Sequence, residues 1–327
     1  MKTLVTGATG FTGRALAARL LADGHQVTCP VRRPGACADL AALGAEVVAA
    51  DLRDRDALFA AARGAHVVYH IAALYRSAGL PDAAYREVNV EGTRHLLEAA
   101  AAAGAARFVH CSTIGVHGHV EHPPADETAP FAPGDVYQRT KLEAELLALS
   151  FAREGKLAVS VVRPAGIYGP GDLRFLKMFR MIQRRRMLVL GSGKPCLHLV
   201  YIDDLVDGFL LAAARPAAVG EPLIIGGETY LPLNDLFALV AAKLGVPPPR
   251  LHFPIWPVWL LGAAVEAVCV PFKVEPPIYR RRVDFFKKSR AFSIEKARRL
   301  LGYSPRVGLS EGLDRTIAWY RQQRLLA

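Results

Sequence analysis

Only five cysteines occur among the 327 residues (Cys29, Cys37, Cys111, Cys196 and Cys269), an odd number with no Cys-x-x-Cys pair. That excludes a cysteine-built zinc site and a disulfide framework, and it points to a reducing, cytoplasmic compartment. The chain opens on a strand pattern, so no signal peptide is expected. Internal repeats and low-complexity tracts are absent. His117, His119 and His122 are too irregularly spaced for a metal site, so no metal is expected. The net charge is +11, yet the basic clusters at 184–186 and 280–282 are short and not interleaved with aromatics. Nucleic acid is therefore not an expected partner. Long apolar runs are also missing. Residues 255–270, apolar apart from Glu266, fall short of the ~20 needed to cross a bilayer. Pro254, Pro257 and Pro271 bracket this segment, which contains two tryptophans. It reads either as a helix of a substrate lobe or as a peripheral membrane contact with 280–282 and Lys287-Lys288 meeting headgroups.

Apolar residues make up 52% of the sequence, enough for a full core. The strongest local signal lies at the start. Leu4 and Val5 run into Gly7-x-x-Gly10-x-x-Gly13, and a helix-favouring stretch follows. Glycines permit a sharp turn and close approach to a pyrophosphate, while the helix N-terminus offers unpaired N–H groups. In this strand–turn–helix context the triplet predicts a dinucleotide site.

Strand-like runs at 26–31, 46–50, 66–71, 107–112 and 158–163 alternate with helical stretches at 39–43, 54–62, 85–103 and 137–154. Such alternation predicts an α/β fold, a Rossmann-type doubly wound parallel sheet with a smaller C-terminal substrate-binding lobe. Residues 1–165 read as the dinucleotide-binding domain, with returning segments near 200–225. Residues 166–327 read mainly as the lobe.

Tyr137 and Lys141 stand at i and i+4, one turn apart on a helix face. A free phenol has a pKa near ~10, and an ammonium beside it favours the phenolate. The pair suits acid/base work. Cys111-Ser112-Thr113 closes the preceding strand, where Thr113 can hold a substrate oxygen near Tyr137 or, alternatively, cap a turn. Asp203 and Asp204 open a helix and are expected to cap it rather than catalyse.

With these elements the chain resembles the extended short-chain dehydrogenase/reductases. The matching residues are the 6–13 glycine loop, Asp51-Leu52-Arg53-Asp54, His70-Ile71-Ala72-Ala73, Asn89 through Thr93, Ser112-Thr113, Tyr137-x-x-x-Lys141, the 163–171 segment that opens Arg163-Pro164, Tyr201 through Leu205, and 292–305. The resemblance implies Tyr137 as catalytic acid/base, Lys141 as the group that lowers its pKa and binds the nicotinamide ribose, and Thr113 as the orienting hydroxyl. It implies a cofactor held by Gly7, Thr9, Gly10, Phe11, Thr12 and Gly13. Asp51 and Leu52 would flank the adenine, Ala72 and Ala73 would line the cofactor, and Pro164 and Ile167 would lie near the carboxamide. Tyr75, His117 and Tyr168 are candidate substrate contacts, and His70 reads as structural.

The second strand ends at Val31, where an acidic residue would bind the ribose hydroxyls, and Arg32 and Arg33 follow. Guanidinium groups suit a 2′-phosphate, so NADP(H) is expected over NAD(H). Ile114 and Gly115 replace the acidic pair of the sugar dehydratases. Leu197 stands where nucleotide-sugar epimerases carry an Arg for the diphosphate, although Lys194 or Arg174 can compensate. The nearest branches are therefore the 3β-hydroxysteroid dehydrogenase-like and dihydroflavonol-reductase-like ones. They imply hydride transfer at a carbonyl or secondary alcohol of a small apolar substrate that is steroid-like, flavonoid-like or long-chain. A nucleotide-sugar epimerase is the rival. A non-catalytic NADP-binding sensor is the reading from another class, and retention of both Tyr137 and Lys141 weighs against it. By analogy with the family, a homodimer is expected through the helices near 93–103 and 137–149.

Overall fold

The computed structural model describes residues 1–75, 79–269 and 285–326. Arg280, Arg281 and Arg282, together with Glu275, Pro276 and Pro277, lie outside these residues, as does Val270 at the end of the apolar segment. Seven parallel strands form the central sheet: β1 (Lys2–Thr6), β2 (Gln26–Val31), β3 (Glu46–Ala49), β4 (Val67–His70), β5 (Arg107–Cys111), β6 (Val159–Pro164) and β10 (Pro222–Ile225). Their order is β10-β6-β5-β4-β1-β2-β3. The chain reverses direction across the sheet between β1 and β4, which opens a crevice at their carboxyl ends.

Both faces of the sheet are covered except at the edge strand β3, so the inner strands are buried along most of their length rather than on alternate residues. Leu4, Val68, Phe108 and Val161 pack under α3 (Arg55–Ala62), α5 (Gly92–Ala102) and α6 (Val136–Arg153). Val5, Val109 and Val162 point the other way, to α1 (Phe11–Ala22) and α8 (Ile202–Ala214). Between β2 and β3 lies the short α2 (Ala38–Ala42).

The stretch 85–103 is not one helix. A short α4 (Asp82–Arg86) is followed by a π turn over Glu87–Glu91 before α5 begins. Asn89, in the π turn, accepts from Leu74 N at 2.6 Å and donates to Thr140 Oγ1 at 3.0 Å. The bulge turns this side chain inward to tie the loop after β4 to α6.

The second core contains α7 (Leu176–Gln183), α9 (Leu233–Lys243) and residues that pack against them from the C-terminal end. A three-stranded sheet joins β7 (Gly166–Tyr168), β9 (Cys196–Tyr201) and β11 (Tyr230–Pro232), and β8 (Val189–Leu190) pairs with β12 (His252–Phe253). α10 (Ile255–Cys269), α11 (Glu295–Leu301) and α12 (Leu309–Gln322) complete the described helices. Asp203 and Asp204 lie in the first turn of α8, but no side chain caps that helix. Instead the Asp204 carboxylate accepts from Arg306 N at 2.8 Å and Val307 N at 3.1 Å, which pins the C-terminal segment to the sheet domain. No described helix is long and apolar enough to cross a membrane.

Candidate active site

The glycine loop is fixed by backbone proximity. A Cβ on Gly13 would sit 2.3 Å from Gly7 O, and one on Gly7 would meet Ala72 N at 2.8 Å. Gly7 also holds φ at +77°, a conformation that side chains resist. Gly10 N-caps α1 with no side chain satisfying the first-turn N–H groups. Thr9 and Gly10 are exposed at the crevice, where those N–H groups face outward for an anion. A dinucleotide phosphate fits this cradle.

Behind the loop, Thr6 Oγ1 accepts from Ile71 N and Ala72 N, both at 3.1 Å, and pairs with His70 Nδ1 at 2.9 Å. His70 Nε2 lies 2.9 Å from Thr93 Oγ1, whose own proton goes to Asn89 O at 2.6 Å. The ring must therefore carry its proton on Nε2 and accept from Thr6. Burial pulls its pKa down to about 3, so His70 is a neutral strut between β1, β4 and α5.

A cavity of about 1200 Å³ opens at the carboxyl ends of the strands. Thr12, Ala73, Tyr75, Thr113, Tyr137, Pro164 and Ile167 line it, so the predicted hydroxyl, phenol and cofactor-side residues converge on one space. Tyr75 meets Tyr137 edge-on at 4.8 Å between ring centres. Thr113 Oγ1 accepts from Gly115 N at 3.0 Å, so it caps the local turn and also faces the cavity. A side chain at Gly115 would press on Gln138 Nε2 at 3.1 Å and Thr113 Oγ1 at 3.3 Å, so an acid there would have to displace these neighbours.

Lys141 is buried one turn beyond Tyr137, its Nζ 3.5 Å from His110 Nε2. Burial draws the ammonium below its usual range. His110, also desolvated and next to that cation, is held well below the ordinary histidine range and stays neutral.

Leu52 packs against Gly92 at the start of α5. Asp51 is gripped by Arg53 at 2.9 and 3.0 Å, and that bond holds its carboxyl below the usual range. Arg32 and Arg33 are exposed just past β2. Phe11 reaches the lobe, with the Arg174 guanidinium 5.6 Å from its ring.

Two expected substrate contacts lie elsewhere. His117 is 2% exposed and accepts through Nε2 from Arg163 at 2.9 Å. Arg163 cannot accept, so the ring carries its proton on Nδ1, toward Pro130 O at 3.3 Å. Tyr168, 4% exposed, packs edge-on against Tyr201 at 5.6 Å in the second core. Neither borders the cavity, because the turn after β5 and strand β7 direct both rings into packed interior.

The sequence reading also missed residues. Glu145 is fully buried, ion-paired with Arg163, and accepts the Ser112 hydroxyl. It continues the Tyr137, Lys141 stripe by one more turn, and an acid at that same four-residue spacing was the available signal. On the lobe side, Met178, Met181, Met187, Leu188, Leu190, Leu197, Trp259, Phe285 and Phe286 form most of the wall, with Arg174, Lys177 and Arg290 among them.

The chain is similar to known proteins over its whole length. The profile of the NAD dependent epimerase/dehydratase family matches residues 3–226. A 2-alkyl-3-oxoalkanoate reductase from Stenotrophomonas maltophilia is 31% identical, with 96% of this chain and 98% of that protein covered. A 3 beta-hydroxysteroid dehydrogenase/Delta 5-->4-isomerase from Mycobacterium tuberculosis is also 31% identical, covering 98% and 90%. Among solved structures, MoeE5 in complex with UDP-glucose and NAD superposes with a TM-score of 0.77 at 27% identity, covering 99% of this chain and all of that one.

Proposed function

Because this chain belongs to the NAD dependent epimerase/dehydratase family, and so is an NAD(P)-dependent oxidoreductase of the extended short-chain dehydrogenase/reductase type, we propose that it interconverts a ketone and a secondary alcohol on a long or broad apolar substrate, using NADP(H). The observation that carries this reading is the lobe-side wall. Beyond Thr113 and Tyr137 it is built of three methionines, leucines, Trp259, Phe285 and Phe286. Leu197 stands in that wall, where an arginine would have met a diphosphate. The 2-alkyl-3-oxoalkanoate reductase, by its name, acts on a ketone carrying alkyl chains, which agrees.

The bound nicotinamide supplies or accepts the hydride at the carbonyl carbon. The rest falls to side chains. Thr113 holds the reacting oxygen by a hydrogen bond. The Tyr137 phenol gives that oxygen a proton in reduction and takes one back in oxidation, and Lys141 one turn away favours the phenolate. The apolar part of the wall takes the carbon skeleton of the substrate and leaves its oxygen to Thr113 and Tyr137. Replacing Tyr137 by Phe is expected to cut kcat by about 10²–10⁴-fold while cofactor affinity is unchanged. Turnover that survives in the variant overturns the acid/base role.

The NADP preference rests on Arg32 and Arg33. Val31 offers no carboxylate to the ribose, and Asp51 is already held by Arg53. Arg32→Ala should weaken NADPH about 10–100-fold and leave NADH unaffected. Equal affinities in the parent protein would remove this preference.

A nucleotide-sugar substrate is the second reading, favoured by Arg174, Lys177 and Arg290 at the cavity. Following NADPH consumption with apolar ketones, and product analysis with nucleotide sugars because epimerisation returns the cofactor unchanged, separates the two, and turnover of the sugars alone overturns the first.

A further inference from the structure

The sequence holds two long stretches with no carboxylate. Between Asp172 and Asp203 there are seven cations (Arg174, Lys177, Arg180, Arg184, Arg185, Arg186 and Lys194) and no Asp or Glu. Between Asp235 and Glu266 there is again none, and the stretch includes Ile255-Trp256-Pro257-Val258-Trp259-Leu260-Leu261. The fold brings the two together. β8 runs parallel to β12, with Val189 N donating to Leu251 O at 3.0 Å and Gly191 N to Phe253 O at 2.8 Å. Gly191 lies directly under Ile255, at the start of α10.

The resulting face is apolar and exposed. Leu251 is 69% exposed and Trp256 66%, and Leu188, Phe253, Trp259, Leu260 and Leu261 are each more than two-fifths open. Single exposed apolar residues are ordinary, but a contiguous set of this size marks an interaction surface. Arg184, Arg185, Arg186 and Lys177 stand exposed beside it. Arg185 holds a left-handed φ of 55° that glycine adopts more readily, so turn geometry does not explain an arginine there.

We propose that this face docks on an anionic lipid bilayer and opens the active cavity to it. The charge pattern selects this occupant. A two-fold dimer through the same face would set the arginine triplets of both copies near one another, whereas anionic headgroups neutralise them. Tryptophan is favoured at the headgroup level. The described part of α10, 15 residues, is shorter than a bilayer span, and in this arrangement it lies along the surface. Trp259 and Leu188 belong to both the exposed face and the cavity wall, so the mouth of the cavity lies at the docked surface. A lipid-dissolved substrate can enter without passing through water. This delivery route rests on the apolar-substrate reading above, and the docking itself does not.

The test uses the full chain with sedimenting vesicles of phosphatidylcholine alone, or with phosphatidylglycerol added. Binding should be at least about tenfold tighter to the anionic vesicles and be reversed by salt. Trp256→Gln with Leu260→Gln, and separately the triple change of Arg184, Arg185 and Arg186 to Gln, should each weaken it about tenfold or more. Both variants should keep turnover of a short, water-soluble ketone, which confirms folding, while the first loses turnover of a long-chain ketone dissolved in the vesicles. Failure of the parent protein to bind, or variants that bind as it does, overturns the proposal. So does light scattering that shows a dimer which Trp256→Gln with Leu260→Gln dissociates. Vesicle binding without turnover of any ketone leaves the docking face standing and removes the substrate reading instead.

Discussion

Behind the nucleotide-side wall of the cavity, Ser112, Glu145, Arg163, His117 and Glu127 form a buried chain of hydrogen bonds in which nearly every donor has a defined acceptor. On the lobe side, Met178, Met181 and Met187 meet mostly apolar neighbours. The first wall specifies positions, because moving any member strands a buried polar group. The second specifies only a chemical character, because many arrangements of thioether and aromatic carbon fill the same space. A catalytic helix needs the first kind of support and a substrate wall of adjustable shape needs the second.

The largest expected difference between the two sides follows from Glu145. Glu145→Ala leaves the Arg163 guanidinium, 1% exposed, without its counter-charge and the Ser112 hydroxyl without its acceptor. Removing one partner of a buried pair costs about 3–5 kcal/mol. Because Glu145 lies on α6 with Tyr137 and Lys141, lost activity should accompany lost stability. Denaturant unfolding checks the stability, and a loss below about 1 kcal/mol would erase the contrast between the walls.

Acid should act on the nucleotide side next. His70, His110, His117 and His198 are all buried, and burial pulls each below its ordinary value. The unfolded chain takes up these protons near pH 6.5 while the native chain does not. Stability is therefore full above that value and is lost as pH falls through it. From pH 7.5 to 6, His70 and His110, the two held furthest below, remove roughly 0.8 kcal/mol each, and His117 and His198 add to the loss in the same direction. Glu127 and Asp204, which burial pushes up, act in the opposite sense nearer the carboxylate range. Three of the four histidines lie on the nucleotide side, so hydrogen exchange in acid should rise first in β4, β5 and the turn at 114–117. A flat stability profile between pH 7.5 and 6 would contradict this.

The same contrast explains what the sequence made legible. The strand runs at the centre of the sheet were readable because strands buried on both faces favour near-continuous apolar residues, while the edge run at 46–49 is more exposed. The glycine loop was readable because its backbone contacts leave no space for a side chain at Gly7 or Gly13. The break of 85–103 into α4, a π turn and α5 was not, since it is set by where Asn89 must reach, namely Leu74 and Thr140, and both contacts are remote in sequence. His117 and Tyr168 lie away from the cavity for a related reason. Each follows a strand end near the crevice, but the direction of its ring depends on Arg163 in one case and Tyr201 in the other. The methionines of the wall carried no motif at all.

The smallest effect should come from the lobe side itself. Met181 lines the cavity and packs against the second core without any hydrogen bond to lose. Leucine nearly conserves its volume, so Met181→Leu should cost less than about 1.5 kcal/mol. Leucine is branched and stiffer, however, and cannot follow a long substrate as the thioether does. Turnover of a compact ketone, which tests only Thr113, Tyr137 and Lys141, should be unchanged, while KM for a long-chain ketone rises a few-fold. If both substrates suffer equally, the wall is a fitted surface after all, and the two sides of the cavity obey one rule.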